Sequence, residues 1–177
     1  MKIIVVINGK GGVGKDTFVD YMGYFFKCES INPIHISSIT KIREIATGFG
    51  YSGKPDSQKD RQLLSDLKKL YISYNPLGLT NDIIKVVNSN VGQSIVFVDI
   101  REVEEIEKLK ILSCEENIKV LTILVERELP SEVYTNSSDL NVDQYVYDYV
   151  IDNNGFRYQL LEAARQTASL IIKQFNI

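Results

Sequence analysis

Five apolar runs punctuate the chain: Ile3–Ile7, the segment around Ile34–Ile36, Ile95–Val98, Val120–Val125 and Tyr147–Ile151. Four of the five are nearly unbroken. A strand with one wet face alternates apolar and polar positions, whereas an unbroken run belongs to a strand covered on both faces. Stretches with helical spacing lie between them, at about 15–27, 39–48, 57–74, 80–91, 102–116 and 156–175. Alternation of strand and helix predicts an α/β fold of three layers, a mainly parallel five-stranded sheet with helices on both faces. Two stretches escape the pattern. Gly48–Asp56 holds Gly50, Gly53 and Pro55 and reads as a hinge or loop, and 128–143 is polar and aperiodic, a candidate lid or an ordinary surface loop.

Length and composition narrow this picture. With 177 residues, 44% of them hydrophobic and 24% charged, the chain suits one domain spanning 1–177. A formal net charge of −3 provides no basic field for nucleic acid, yet leaves room for a small phosphorylated ligand held by a few local cations. No apolar run reaches the roughly 20 residues of a membrane helix, so no membrane partner is expected. Cys28 and Cys114 match no metal or redox spacing, which fits a reduced, cytoplasmic setting. The lone histidine, His35, lies inside the second apolar run and reads as a strand residue rather than a catalytic base.

The sharpest chemical signal follows the first run. Gly9-Lys10-Gly11-Gly12-Val13-Gly14-Lys15-Asp16-Thr17 carries glycines at the first and sixth positions of a G-x-x-x-x-G-K pattern, between a strand and a helix. Glycines let the backbone curl so that successive N–H groups face the phosphates of ATP, and the helix opening near Lys15 adds its positive end. Lys15 supplies a mobile charge that can follow a transferred phosphoryl group. The pattern matches the phosphate loop of P-loop NTPases. Where such loops carry Ser or Thr after the lysine, this chain has Asp16, with Thr17 behind it. Asp16 either holds Mg²⁺, directly or through water, or caps the helix.

Asp99 ends the third apolar run, at the edge where open parallel sheets bind ligands, and is the second candidate for the Mg²⁺ shell. Arg101, two residues on, emerges on the same side and offers a planar fork to a phosphate.

Gly14-Lys15-Asp16-Thr17 resembles the loop of phage-type deoxynucleoside monophosphate kinases and, more loosely, of phosphomevalonate kinases. Val96-Phe97-Val98-Asp99-Ile100-Arg101-Glu102 is similar to that family's strand ending in Asp-x-Arg. Tyr147–Gly155 resembles the last strand and loop shared with dephospho-CoA kinases, which implies that Asn153 and Asn154 lie beside the adenine of ATP. The resemblance also implies acceptor-side helices within 39–91, with Arg43 and Arg61 turned toward the acceptor. The segment 128–156 contains no Lys or Arg, unlike an ordinary kinase lid, which leaves Arg127 with Lys15 and Mg²⁺ to stabilise the transferring group. The family's later segment tends to hold a His or Ser with an acid, where this chain has Thr135–Asp139.

The implied activity is transfer of the γ-phosphoryl of ATP-Mg²⁺ to a phosphorylated small molecule, a (deoxy)nucleoside monophosphate, by a monomer or homodimer. Two other readings stay open. Lys10-Gly11-Gly12-Val13-Gly14-Lys15 also matches the loop of partitioning and cell-division ATPases, in which Lys10 would cross a dimer interface to the partner's nucleotide; Asp16 and the short chain speak against it. A nucleotide-binding protein without catalysis is the third.

Overall fold

The computed structural model describes residues 1–55, 57–90, 92, 95–128 and 142–177. Strands β1 (Lys2–Asn8), β2 (Ile34–Ser37), β3 (Ile95–Asp99), β4 (Ile118–Glu126) and β5 (Tyr149–Asp152) form one sheet in the order β2-β3-β1-β4-β5, with every pairing parallel. Six helices accompany them among the described residues: α1 (Lys15–Cys28), α2 (Thr40–Thr47), α3 (Gln58–Tyr74), α4 (Gly78–Ser89), α5 (Val103–Glu115) and α6 (Arg157–Phe175). The expected three-layer α/β fold is therefore present.

Strand periodicity divides the core. Ile3, Val5 and Ile7 of β1 enter a cluster with Phe18, Met22 and Phe26 of α1 and Leu160, Ala164 and Ile171 of α6. Ile4 and Val6 point the other way, into a cluster with Ile83 and Val87 of α4 and Ile106 and Leu109 of α5. Both faces of β1 are thus apolar, the physical origin of its unbroken run. Phe18, Met22 and Phe26 recur every four residues, so one stripe of α1 meets the sheet, and each such side chain contributes about 1.5–3 kcal/mol on burial. A third, smaller cluster lies off the sheet: Ile42 and Ala46 of α2, Tyr51, Leu64 of α3 and Leu79 of α4.

Boundaries differ from expectation by two residues in three elements and by no more than one elsewhere. α4 begins at Gly78, earlier than 80, and ends at Ser89. β4 reaches from Ile118 to Glu126, and its residues Ile118–Leu124 pair with the whole of β1. β5 starts at Tyr149 because side chains take the amides that would extend the ladder: the Thr122 amide donates to the Asp148 carboxylate at 2.7 Å and the Asp148 amide donates to Thr122 Oγ1 at 3.1 Å. The candidate lid lies almost wholly outside the described residues, as do Thr135–Asp139.

Candidate functional site

The loops leaving β1 and β3 turn to opposite faces of the sheet, β1 into α1 and β3 into α5. Adjacent parallel strands whose connections diverge in this way open a crevice at their carboxyl ends. The phosphate loop and Asp99 stand at its two sides.

Loop geometry demands the glycines. Gly9 has φ 140° and lies so close to the Val125 carbonyl that a Cβ would collide with it. Gly14 takes φ 97°, and a Cβ there would sit 2.5 Å from Asn153 Nδ2. Both positions belong to glycine on conformational and steric grounds. Val13 is the loop's apolar anchor, buried in the α1/α6 cluster. Lys15 opens α1 and folds back over the loop, its ammonium donating to the carbonyls of Gly9 at 2.6 Å and Lys10 at 2.7 Å. The first amides of α1 have no intrahelical acceptor and face the same hollow. Gly11 and Gly12 meet nothing on the side a Cβ would occupy, consistent with an open crest.

Asn8 fastens the loop from below. Fully buried at the end of β1, it accepts from the Gly9 amide at 2.7 Å and donates to the Arg101 carbonyl at 3.2 Å and to Tyr147 Oη at 2.7 Å. Tyr147 in turn donates to the Val142 carbonyl, and burial pushes its phenol up to about 12, so it stays a neutral hydroxyl. Sequence reasoning did not single out Asn8; a lone polar residue closing an apolar run, directly before the glycine loop, was the available signal.

Asp99 occupies the odd-numbered face of β3, with Ile95 and Phe97, and so looks toward α1, the helix that carries Asp16 and Asp20. Its Oδ2 lies 3.0 Å from His35 Nε2. Its Oδ1 is buried with no hydrogen-bond partner among the described residues. The imidazole pKa is raised above 6.5, chiefly by the hydrogen bond to Asp99, with Asp16 and Asp20 adding attraction and burial opposing. His35 is a strand residue, as expected, but one whose side chain joins the site. Asp16 sits in the first turn of α1 without a capping bond; the cap position is Gly14, which has no side chain. Asp16 thus makes no capping hydrogen bond but places its charge in the first turn of α1, and its carboxylate is exposed beside the loop.

An orphaned carboxylate oxygen on Asp99 and an exposed carboxylate on Asp16 suit a hard, oxygen-seeking ion such as Mg²⁺. Among the described residues no group of three or more His, Cys, Asp or Glu gathers to hold a metal alone. Remaining ligands would come from phosphate and water, the usual arrangement for Mg²⁺.

Asn153 and Asn154 are placed by the β5–α6 loop, but their visible contacts are with the protein. Asn153 is buried and donates to the Val13 carbonyl at 2.8 Å, bracing the loop from behind. Asn154 accepts from the Glu128 amide and donates to Asp152. Arg101 is half-buried just beyond Asp99, and Arg127 is exposed just beyond β4. Arg43 on α2 and Arg61 on α3 are exposed and make no ion pair with the described residues. Lys10 pairs with Asp143 of its own chain at 2.5 Å. Thr17 is half-buried on the first turn of α1.

No protein-family model matches the chain, and no curated protein matches it. Solved structures do. The Mycobacterium tuberculosis APS kinase CysC in complex with AMPPNP and APS superposes with TM-score 0.56 at 11% identity, covering 96% of this chain and 97% of its own. A cysteine-to-alanine mutant of that enzyme gives 0.55 at 10% identity, covering 96% of each chain. APE1195 gives 0.55 at 12%, covering 96% of this chain and 94% of its own. At such identities the likeness establishes architecture: the chain has the α/β fold of P-loop kinases. No helix among the described residues is long and apolar enough to cross a membrane.

Proposed function

We propose that this chain is an ATP-dependent kinase that passes the γ-phosphoryl group to a phosphorylated small molecule, a (deoxy)nucleoside monophosphate. The observation that carries the reading is the joint placement of a phosphate loop, closed by Lys15, with Asp99 facing the helix that carries Asp16. APS kinase, which shares the fold, is described in complex with AMPPNP and APS, a nucleotide and a second ligand in one protein of this architecture.

Each residue then has a defined task. The loop amides and the α1 terminus hold the β- and γ-phosphates. Lys15 exchanges its two carbonyl contacts for phosphate oxygens, a swap that costs little because the loop already holds the ammonium near its future partner. Asp16 and Asp99 would hold Mg²⁺, which when bound neutralises charge on the phosphate oxygens. Arg101 presents its fork to the acceptor phosphate, with Arg43 and Arg61 on the helices beyond. An acceptor phosphate is already mostly ionised near neutral pH, so its oxygen attacks the γ-phosphorus without a general base as the bond to ADP breaks. Asp99 is accordingly free to serve the metal. Arg127, at the β4 exit, would add positive charge to the transferring group.

The pairing of Lys10 with Asp143 supports this reading over the switch-ATPase alternative, in which Lys10 would reach across a dimer. Release of ADP from ATP, measured with a panel of nucleoside monophosphates, tests the proposal. Turnover that requires one acceptor is expected. Slow hydrolysis indifferent to every acceptor, with ATP-dependent dimerisation, would overturn it.

A further inference from the structure

Helix α3 is long and is anchored away from the sheet, through Leu63, Leu64, Leu67, Tyr71 and Ile72 in the third cluster. Of its 17 residues only Leu64 is buried, and it packs chiefly on α2 rather than on the sheet. Its N-terminus is closed by a capping box, Ser57 with Asp60, which fixes where the helix begins but not where it lies. One turn after Leu64, on the same face, stands Lys68. Its ammonium lies 2.5 Å from Glu102 Oε2, with the lysine side chain 14% exposed and the glutamate 31%.

Glu102 is the residue after Arg101 and the N-terminal boundary of α5, its carbonyl accepting the amides of Glu105 and Ile106. The segment from Asp99 to Glu102 is gripped from several directions. The Asp99 carbonyl accepts from the Ser38 amide at 3.1 Å, and the Ile100 amide donates to the Ile7 carbonyl. The Arg101 carbonyl accepts from Asn8, which also binds the Gly9 amide. Lys68 adds a further grip, and it comes from the side of α2 and α3. A continuous chain of contacts therefore runs from the phosphate loop through Asn8, Arg101 and Glu102 to α3.

We propose that Lys68 is a positioning residue which, through Glu102, couples the acceptor-side helices to the state of the phosphate loop. This rests on the kinase reading above. The location argues for coupling rather than mere stability: the apolar contacts of α3 go to α2 and α4, whereas the shielded Lys68–Glu102 pair ties it to the segment leaving β3, and the partner is the direct neighbour of Arg101. The discriminating readout is transmission of a nucleotide's effect from the phosphate loop to α3.

Hydrogen exchange supplies it. In the wild-type protein, AMPPNP should slow exchange in the phosphate loop and in α3. In Lys68→Met, AMPPNP should still bind with unchanged Kd and protect the loop, while the response of α3 disappears. The exchanged pair, Lys68→Glu with Glu102→Lys, should restore it. With an acceptor in hand, Lys68→Met should raise acceptor KM on the order of 5- to 50-fold with little change in kcat. An α3 response that survives in Lys68→Met, or a charge exchange that restores nothing, would overturn the coupling alone. Wild-type protein that fails to bind AMPPNP would overturn the kinase reading and this inference with it.

Discussion

The two sides of the crevice are built on different terms. On the phosphate side almost every group is fixed by the sheet: Asn8 and Asn153 brace the loop, Val13 plugs it into the core, and two glycines occupy conformations other residues resist. On the proposed acceptor side, α2 and α3 share a small core of their own, present Arg43 and Arg61 to solvent, and join the sheet through the β2–α2 turn, α4 and the Lys68–Glu102 pair. Phosphates of ATP are common to all acceptors, so a rigid cradle serves them. An acceptor must enter, be matched and leave, and elements of low local stability suit that task.

The largest effect should come from the rigid side. Lys15→Ala should reduce phosphoryl transfer by roughly a thousandfold or more while leaving thermal stability nearly intact, because its ammonium donates to loop carbonyls that water can satisfy in its place. Single-turnover kinetics with ATP and acceptor would show it; activity equal to wild type would remove the mechanism. Arg101→Ala probes the boundary between the two sides. Loss of a bidentate, charge-assisted contact should cost about 2–4 kcal/mol in transition-state binding, roughly 30- to 1000-fold in acceptor kcat/KM. ATP affinity should hardly move, and Arg101→Lys should rescue little because an ammonium cannot form the planar fork. Weaker ATP binding with untouched acceptor kinetics would transfer Arg101 to the phosphate side.

The same contrast explains what was legible in the sequence. Strands, helices and the phosphate loop are local patterns: continuous apolar runs, fourfold-spaced Phe18, Met22 and Phe26, and glycines at set intervals each state their structure within a few residues. Contacts between distant segments carry no such pattern. His35 reads as a strand residue, and is one, yet its partnership with Asp99 arises only when β2 pairs with β3. Asn153, which the resemblance places beside adenine, also donates its amide to the Val13 carbonyl, a contact 140 residues away along the chain that no local pattern announces. Asn8 passed unnoticed because an isolated polar residue at a strand end has many uses. Lys68 and Glu102 lie on separate helical segments, and nothing in either segment names the other.

Asp16 tests the metal assignment, and a smaller effect is expected there because one of two carboxylates remains. Asp16→Asn should raise the Mg²⁺ concentration for half-maximal rate severalfold, on the order of a tenfold change at most per 1.4 kcal/mol lost. Stability should change little, since Asp16 makes no capping bond. An unchanged Mg²⁺ requirement accompanied by a lower Tm would mean that its charge serves the helix dipole instead.

His35 should give the smallest effect, visible in stability rather than rate. Asp99 holds the imidazole pKa above 6.5 by hydrogen bond and charge, with Asp16 and Asp20 contributing attraction and burial opposing. A basic group whose pKa is higher in the folded chain than in the unfolded one binds its proton more tightly when folded. Folding then gains stability that is fully present below the unfolded pKa near 6.5 and is lost as pH rises through the higher folded value. The difference in Tm between wild type and His35→Gln should therefore be largest at about pH 5.5 and shrink toward about pH 8.5. Both side chains are about one-third exposed, so solvent screens the pair and the change should be modest. Raising the salt concentration should shrink the low-pH difference further, because part of the attraction is Coulombic. A Tm difference that stays constant across this range would show that His35 holds Asp99 as a neutral hydrogen-bond donor. The contrast between a charged brace on β2 and the uncharged amide braces of Asn8 and Asn153 would then vanish.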